Sequence, residues 1–337
     1  MLHAGLIATA GIIMTIAIAG YYLFLSGQFS NTRTAYVYLD KDDTADSLFM
    51  KVEKAGNPGT IVGLRFLVNH SKYGKKIRTG RYTIKPGGDI FHLYRRLSQG
   101  RQDPVDFSIN NIRTRGDLAK SIGRQLMMDS AQVAQNLNDT AFCVKMGFNA
   151  ETIVCMFLPN TYEIYWDIKP EAFFERMKKE EQAFWTTERL NKAKAAKLTP
   201  VEVCTVASIV DEETNNIAEK PMVAGLYLNR LHQGMKLQAD PTVKFAVQNF
   251  ALKRVTGKEL RSDSPYNTYR YEGLPPGPIR IPSIKGIESV LNYVKHDYVY
   301  MCAKEDFSGT HNFAATWAEH QKNAKKYQSE LNKRKIF

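Results

Sequence analysis

The sequence lacks the motifs that mark several common kinds of catalytic and binding site. Its four cysteines are widely spaced and form no CxxC pair, which argues against a zinc ribbon or a redox pair. Its seven histidines show no HExxH and no other paired ligand spacing. Neither a glycine-rich phosphate loop nor a serine nucleophile elbow is present. We therefore expect no metal site and no cofactor.

The composition is that of a folded protein with a basic excess. The chain has 337 residues, of which 44% are hydrophobic and 24% are charged, and this is enough for about two domains with real cores. The net charge of +12 implies an anionic partner, such as a nucleic acid, lipid headgroups or an acidic polymer.

Charge is absent from residues 4–25, which are rich in Ile, Leu, Ala and Tyr. At 1.5 Å per residue this run can cross a hydrocarbon core roughly 30 Å thick. A cleaved signal peptide would usually have a shorter apolar region and a basic start, whereas this chain begins Met1-Leu2-His3. We expect an uncleaved, single-pass anchor, although several alanines leave the alternative open.

The orientation of this anchor is weakly specified by charge. Arg33 and Lys41 lie on its C-terminal side, and the positive-inside rule alone would place that side in the cytoplasm. The rule has less force when a long domain follows the apolar segment. The charges alone would therefore place the rest of the chain in the cytoplasm, and they argue against an extracytoplasmic location.

The residues after the anchor predict a small α+β module. Residues 36–39 and 80–84 have strand patterns, and helices are predicted at 44–55, at 60–70 and from Asp89 to Gly100. Lysines and arginines interleave with tyrosines between residues 72 and 101. This basic surface is either a solvated face or a binding surface for an anionic wall polymer or membrane, and the anchor disfavours nucleic acid.

A larger mixed α+β domain is predicted beyond this module. We expect a strand at residues 104–109, helices at 115–126 and 130–138, one long helix at 171–196, a helix at 221–233 and a helical C-terminus at 314–335. The predicted boundaries are 1–30 for the anchor and linker, 31–103 for the module and 104–337 for the larger domain.

One helix in this larger domain ends in three consecutive acids. Thr199 and Glu202 form a capping box, and Pro200 occupies the favoured first position. An apolar stripe then follows at three- and four-residue steps: Val203, Val206, Ala207, Val210, Glu213, Thr214 and Ile217. The predicted buried face of the helix therefore includes Glu213.

Spacing separates Glu213 from its neighbours Asp211 and Glu212. Asp211 lies roughly 200° around the helix from Glu213, so the pattern predicts that Glu213 alone continues the buried stripe. Burial against apolar residues keeps a carboxyl group protonated to higher pH. Cleavage of a glycosidic bond needs such an acid. The alternative is a boundary residue paired with a Lys or Arg.

Several segments in fixed order resemble the YceG-like family of endolytic murein transglycosylases. They are Thr79-Gly80-Arg81-Tyr82, Phe157-Leu158-Pro159-Asn160-Thr161-Tyr162, Ala207 to Thr214, Asn229-Arg230-Leu231, Gly234 to Val243, Tyr266-Asn267-Thr268-Tyr269 and Gly273 to Ile279. The likeness covers nearly the whole chain, including the anchor. It implies that the first module is LysM-like and that the C-terminal part is the catalytic domain.

The resemblance also implies a catalytic residue. The catalytic glutamate of the family is the second acid of a Glu-Lys-Glu pattern, which corresponds here to Glu213. Asp211 takes the place of the first acid, and Glu212 replaces the middle lysine. This added negative charge is expected to raise the pKa of Glu213 further.

The implied substrate is the glycan strand of peptidoglycan, cut between N-acetylmuramic acid and N-acetylglucosamine. Glu213 would first act as the acid and then as the base that activates the C6 hydroxyl of the muramic acid, which gives a 1,6-anhydro end. The resemblance further implies a terminator of nascent strand elongation in the cytoplasmic membrane, with its catalytic domain outside the cytoplasm and with peptidoglycan synthases as partners.

The matched segments supply further candidates for binding the substrate. They are the amides Asn229, Gln238 and Asn267, the tyrosines Tyr266 and Tyr269, and the acid Asp240. Asp240 would orient sugar or stabilise positive charge, or else open a turn with Pro241. His311 could reach the same cleft or be structural.

Two alternative functions remain open at this stage. One is a muramidase that uses water and yields a reducing end. The other is a membrane-tethered wall-binding protein in which the acids are structural.

Overall fold

The computed structural model describes residues 2–252 and 254–334 and divides the chain into two compact units. The first unit contains the residues up to Phe107 together with Gly123–Met128 and Thr161–Lys169. The second contains Ser108–Ile122, Asp129–Asn160 and the residues from Pro170 onward. The sequence did not predict that the two later segments belong to the first unit. Contacts between segments far apart in the chain produce no pattern in the local sequence.

The N-terminal apolar segment forms helix α1 (Leu2–Gly20), which continues into a π-helical turn at Tyr21–Leu25. Within the residues described, Gly5–Leu25 is the one helical stretch long and apolar enough to cross a membrane, with a mean hydropathy of 1.9 and no burial. An N-terminal apolar helix of this kind is consistent with a membrane anchor.

The first unit is built on a two-stranded antiparallel sheet. Strands β1 (Ala35–Leu39) and β2 (Gly80–Ile84) pair from Ala35 opposite Ile84 to Leu39 opposite Gly80. Three helices accompany the sheet: α2 (Ala45–Gly56), α3 (Val62–Asn69) and α4 (Ile90–Gln99). Strand β3 (Pro104–Ser108) pairs with β4 (Thr161–Tyr165). The predicted strand-helix-helix-strand-helix order is confirmed.

The residues directly after the apolar helix belong to this first unit. The backbone N–H of Gln28 donates to the carbonyl of Gly88 at 2.9 Å, and Phe29 is buried in the core. Residues that the sequence assigned to an anchor and linker are therefore packed against the module.

The second unit is mainly helical. Apart from the end of α5, which from Gly123 belongs to the first unit, its helices are α5 (Arg115–Gln125), α6 (Ser130–Asn138), α7 (Thr140–Lys145), α8 (Pro170–Phe184), α9 (Thr187–Ala195), α10 (Pro200–Glu213), α11 (Lys220–His232), α12 (Asp240–Ala246), α13 (Gly257–Leu260), α14 (Ile284–Leu291) and α15 (Trp317–Lys333). Strands β5 (Tyr300–Ala303) and β6 (His311–Ala314) form an antiparallel pair. The mixed α+β class is confirmed.

Two of the predicted helices in this unit were drawn too long. The stretch 171–196 is two helices, because Thr186 caps a new helix by accepting the N–H of Arg189. The C-terminal helix begins at Trp317 after a capping box at Thr316, and Ala314 belongs to β6. The predicted end at residue 335 lies outside the residues described.

Helix α10 lies in the core of the second unit and packs against α11, α12 and α14. The predicted capping box is present, with Thr199 accepting the N–H of Glu202 and the Glu202 carboxylate accepting the N–H of Thr199. Residues 203–211 are all buried. The helix is therefore enclosed on every side, which a one-sided apolar stripe did not predict.

Candidate functional site

The C-terminal end of helix α10 presents three consecutive acids with three different sets of partners. Asp211 is buried and is paired with Lys220, which is itself buried. The prediction that Glu213 alone continues the buried face is therefore wrong. Ile217 also leaves the predicted stripe, because the helix ends at Glu213 and Ile217 is exposed.

The Asp211 cluster consists of Asp211, Lys220 and Ser283. Beyond the ion pair, the carboxylate of Asp211 accepts the backbone N–H of Ser283 at 2.6 Å and its hydroxyl at 2.9 Å. Gly286 makes room for this carboxylate, since a Cβ at that position would lie 2.6 Å from an oxygen of Asp211. A buried charge satisfied in this way is a structural ion pair.

Glu212 is held between two arginines. Arg113 donates to both of its carboxylate oxygens, with Nη2 at 2.8 Å from Oε2 and 3.1 Å from Oε1. Arg280 donates to Oε1 at 2.7 Å. We expected the negative charge of Glu212 to raise the pKa of Glu213. That charge is instead paired with the two arginines.

Glu213 lines a cavity of about 220 Å³ in the second unit. Its Oε1 accepts the hydroxyl of Tyr227 on α11 at 2.6 Å. The other polar side chains that line this cavity, called the Glu213 cavity below, are Arg230, Gln238, Asp240, Tyr269 and His311. The carboxyl group thus faces a space that can hold part of a ligand.

The surroundings of Glu213 act on its pKa in opposite directions. Burial is the largest cause and raises the pKa of the carboxyl group above its ordinary value, and the nearby negative charge of Asp240 raises it further. The Tyr227 hydrogen bond and the positive charges of His311 and Lys244 lower it. The net direction is upward, so Glu213 keeps its proton at a higher pH than a solvated glutamate.

Three of the predicted binding residues lie in the Glu213 cavity. Gln238 has a positive φ of 50° and is exposed, and its Oε1 lies 3.3 Å from Nη1 of Arg230. Asp240 begins α12 and accepts the Tyr269 hydroxyl at 2.6 Å. Burial, followed by this bond, raises the pKa of Tyr269. Amide, carboxylate and phenol groups therefore converge on one space with Glu213.

The other three predicted residues lie elsewhere. Asn229 donates to the backbone carbonyls of His296 and Tyr298, at 2.6 and 3.0 Å. Asn267 is fully buried, and its Nδ2 donates to two carbonyls of its own loop. Both amides make structural bonds at these positions.

Tyr266 lines a separate cavity of about 370 Å³, where its ring lies 4.7 Å from that of Phe245 between centroids. Burial raises the pKa of its hydroxyl to about 12. If Tyr266 binds a sugar, it therefore does so outside the Glu213 cavity.

The structure adds residues that the sequence argument did not select. Tyr227 looks like a core aromatic in the sequence, and Arg230 like a surface base, yet both line the Glu213 cavity. Arg230 is buried and donates to the carbonyls of Val299 and Leu237, at 2.5 and 2.8 Å. The matched segment at 229–231 pointed to this helix turn but to Asn229 rather than Arg230.

His311 reaches the Glu213 cavity from strand β6. Its Nδ1 lies 3.0 Å from Oε2 of Glu219, and its backbone N–H donates to Oε1 of Glu219 at 2.6 Å. The sequence left open whether this histidine reaches the cleft, and the structure places it there. Among residues 2–252 and 254–334, no three His, Cys, Asp or Glu side chains are grouped as metal ligands would be.

These features define a mixed α+β protein in which a carboxyl group of raised pKa faces a polar cavity. A model of the YceG-like family matches residues 37–326. Endolytic murein transglycosylase from Bacillus subtilis strain 168 is 29% identical over 276 residues, or 76% of this chain and 75% of that protein. The protein of the same name from Streptococcus pneumoniae D39 is 35% identical over 144 residues, or 41% of this chain but 26% of that protein.

A crystal structure of a YceG-like protein from Listeria monocytogenes shares this fold, with a TM-score of 0.56 and 24% identity, covering 87% of this chain and 99% of that one. The family match extends over most of the sequence. The chain belongs to the YceG-like family.

Proposed function

We propose that this protein is an endolytic murein transglycosylase with Glu213 as its catalytic acid and base. The observation that carries the proposal is a carboxyl group whose pKa is raised by burial and that opens on a polar cavity. The names of the relatives from Bacillus subtilis and Streptococcus pneumoniae support the reaction class. The substrate is the glycan strand of peptidoglycan.

The reaction begins with proton donation. Glu213 gives its proton to the glycosidic oxygen between N-acetylmuramic acid and N-acetylglucosamine, and the bond from that oxygen to C1 of the muramic acid breaks. Positive charge develops at C1, and the carboxylate of Asp240 in the same cavity stabilises it. The leaving strand departs with the proton of Glu213.

The second step regenerates the acid. The C6 hydroxyl of the same muramic acid attacks C1, and its proton passes to the carboxylate of Glu213. The new bond closes a 1,6-anhydro ring and no water is consumed. An attacking group within the sugar itself is already close to C1, so this route needs no carboxylate to hold water.

Hydrolysis is the second candidate, and Asp240 favours it. Asp240 and Glu213 line the same cavity, and glycosidases that use water employ a pair of carboxyl groups. Asp240, however, already accepts the hydroxyl of Tyr269 at 2.6 Å, so one of its acceptor positions is occupied and fewer remain to hold an attacking water.

Mass spectrometry of the products separates the two reactions. We expect the full-length protein to release fragments from purified sacculi whose new ends are lighter by one water than reducing ends. Fragments with only reducing ends would establish a muramidase. No fragments with wild type, but cosedimentation with sacculi, would establish a wall-binding protein without catalysis.

The first unit supports binding to a wall polymer. It contains a cavity of about 1110 Å³ lined by several cations, namely Lys41, Lys72, Lys75, Lys76 and Arg78. We propose that this unit is a LysM-like module that holds the enzyme on peptidoglycan. Sedimentation of the full chain with sacculi at rising salt tests this, because screening weakens binding between opposite charges.

We propose that α1 anchors the protein in the cytoplasmic membrane with the second unit outside the cytoplasm. The apolar length of α1 supports the anchor, and a substrate outside the cytoplasm supports the orientation. In this location the enzyme would terminate nascent glycan strands beside the peptidoglycan synthases. A reporter fused after Phe337 that is active only outside the cytoplasm tests the orientation, and activity of a cytoplasmic reporter would contradict it.

A further inference from the structure

Both carboxylate oxygens of a second acid, Glu219, have hydrogen-bond partners. One of these partners, His311, lines the Glu213 cavity. Its Oε1 accepts the backbone N–H of His311 at 2.6 Å. Its Oε2 lies 3.0 Å from Nδ1 of His311 and accepts the hydroxyl of Thr214 at 2.8 Å. Glu219 is 8% exposed, so these bonds replace the water that would otherwise solvate its charge.

This arrangement holds His311 in one orientation. The backbone bond fixes the start of strand β6, and the side-chain bond fixes the imidazole ring by its Nδ1. A carboxylate oxygen can only accept a hydrogen bond, so Nδ1 of His311 carries a hydrogen and donates it to Glu219. His311 meanwhile lines the same cavity as Glu213.

The proposed reaction makes Glu213 negative within that cavity. When the acid gives up its proton, an unsolvated carboxylate remains until the C6 hydroxyl supplies another. Tyr227 donates one hydrogen bond to it, but a phenol carries no charge. A carboxylate that forms in a cavity is stabilised most by a cation already fixed in place.

The charged and titratable groups around Glu213 come from several elements, and they differ in how free they are to do this. They are Tyr227 and Arg230 on α11, Asp240 and Lys244 on α12, Tyr269, and His311 with Glu219 behind it. Arg230 is engaged by backbone carbonyls, and Lys244 lines a neighbouring cavity with Glu212. His311 lines the Glu213 cavity, and its ring is held by a carboxylate of its own, that of Glu219.

We propose that His311, oriented by Glu219, is a positioning residue that stabilises the carboxylate of Glu213 formed during the reaction. No proton leaves His311 in either step, so the acid and base roles stay with Glu213. The inference rests on the proposed function, because it explains how one side chain can serve first as acid and then as base. A carboxyl group does both best when its pKa lies near the working pH.

The test compares pH profiles of kcat/KM for the full-length protein on purified uncrosslinked glycan strands. Glu213 must be protonated to start the reaction, so its pKa sets the alkaline limb of the profile. The neutral variant His311→Gln should move this limb to higher pH by on the order of one unit, the lower end of the effect of one opposite charge nearby. The maximal rate should fall because the carboxylate is less stabilised.

The variant Glu219→Gln tests the pair rather than the ring. It removes the negative charge behind His311 and should move the alkaline limb in the same direction. The double variant should be no worse than His311→Gln alone, because residues that act as a unit are not additive. The matched controls are His232→Gln and Glu188→Gln, two surface positions in the same unit, and both should leave the profile unchanged.

A purely structural role would lower activity equally at every pH, and that result would overturn the inference. Should both variants fail to fold, nitrogen-15 spectra of wild type decide the matter, because the ring of His311 must be the imidazolium at the pH of maximal activity. A neutral ring there would refute the proposal. The proposed function fails separately, if Glu213→Gln still cleaves glycan strands.

Discussion

Asp211 and Glu213 lie two residues apart on one helix, yet the surroundings of their two carboxyl groups are opposite in kind. Asp211 meets a buried lysine and two donors from Ser283. Glu213 meets a phenol and an open cavity. A buried acid beside a cation is suited to hold structure together, whereas a partly buried acid that faces a cavity and has no direct cation partner is suited to hold a proton.

Burial alone therefore does not identify a catalytic acid. Asp211 is the more enclosed of the two, and its side chain is 3% exposed. What distinguishes Glu213 is the combination of desolvation with access to a space of about 220 Å³. The comparison predicts that activity and stability will respond differently to substitution at the two positions.

The largest effect is expected on activity. Glu213→Gln keeps the shape of the side chain but cannot donate the proton, and we expect the cleavage rate to fall by about 10²- to 10⁴-fold. Product release from sacculi is the measurement, with Glu188→Gln as a matched surface control. Retention of more than a tenth of the wild-type rate would contradict the assignment of Glu213.

Asp211→Asn should mainly reduce stability. It leaves the charge of Lys220 buried without its partner, a situation that costs about 3–5 kcal/mol of unfolding free energy. Denaturant unfolding measures this. Replacing both members, as in Asp211→Leu with Lys220→Met, should recover much of the loss, and a double variant as unstable as the single one would show that the ion pair is not the cause.

Tyr227→Phe should change the pH dependence of activity. It removes a hydrogen bond that favours the carboxylate form of Glu213, so the pKa of Glu213 should rise and the alkaline limb of kcat/KM should move to higher pH. The maximal rate should fall about tenfold, since a hydrogen bond to a charged group is worth about 1.5 kcal/mol. A limb that moves to lower pH would show that the bond acts differently.

The smallest effect is a gain in stability from Glu213→Gln. Burial raises the pKa of Glu213 in the folded state, so the folded protein binds the proton more tightly than the unfolded chain. Wild-type stability therefore falls as pH rises from the unfolded pKa through the folded one. Above that range the Gln variant should be the more stable of the two, and the difference should vanish at acid pH.

Thermal unfolding of both proteins across this pH range measures the difference. Equal stability of wild type and variant at alkaline pH would mean that the ionised carboxylate is fully compensated in the cavity. His311 and Lys244 would then stabilise the carboxylate of Glu213 more strongly than the upward direction of its pKa indicates.

Local signals predicted much of the fold. The capping box of Thr199 and Glu202 marked the start of α10, and Asp89 and Gly100 marked the two ends of α4. These signals work because a helix end leaves backbone groups that a nearby side chain must satisfy. The break at Thr186 was missed because the apolar periodicity of α8 and α9 continues across it.

The candidate site was predicted less completely than the fold. Glu213, Gln238, Asp240 and Tyr269 lie together as expected, whereas Asn229 and Asn267 are used by backbone carbonyls. The sequence does not show whether an amide side chain will hydrogen-bond to a sugar or to a backbone carbonyl. The roles of all these residues in binding substrate remain predictions.

By itself, the sequence determined the apolar segment at the N-terminus, the start of helix α10 and the presence of a carboxyl group near its end. These follow from composition and from contacts within a few residues. Only the tertiary structure decided that Lys220 neutralises Asp211, that two arginines hold Glu212, and that a cavity with His311 adjoins Glu213. Desolvation and charge pairing join residues far apart in the chain, so the chemistry of each acid is set by the packing around it.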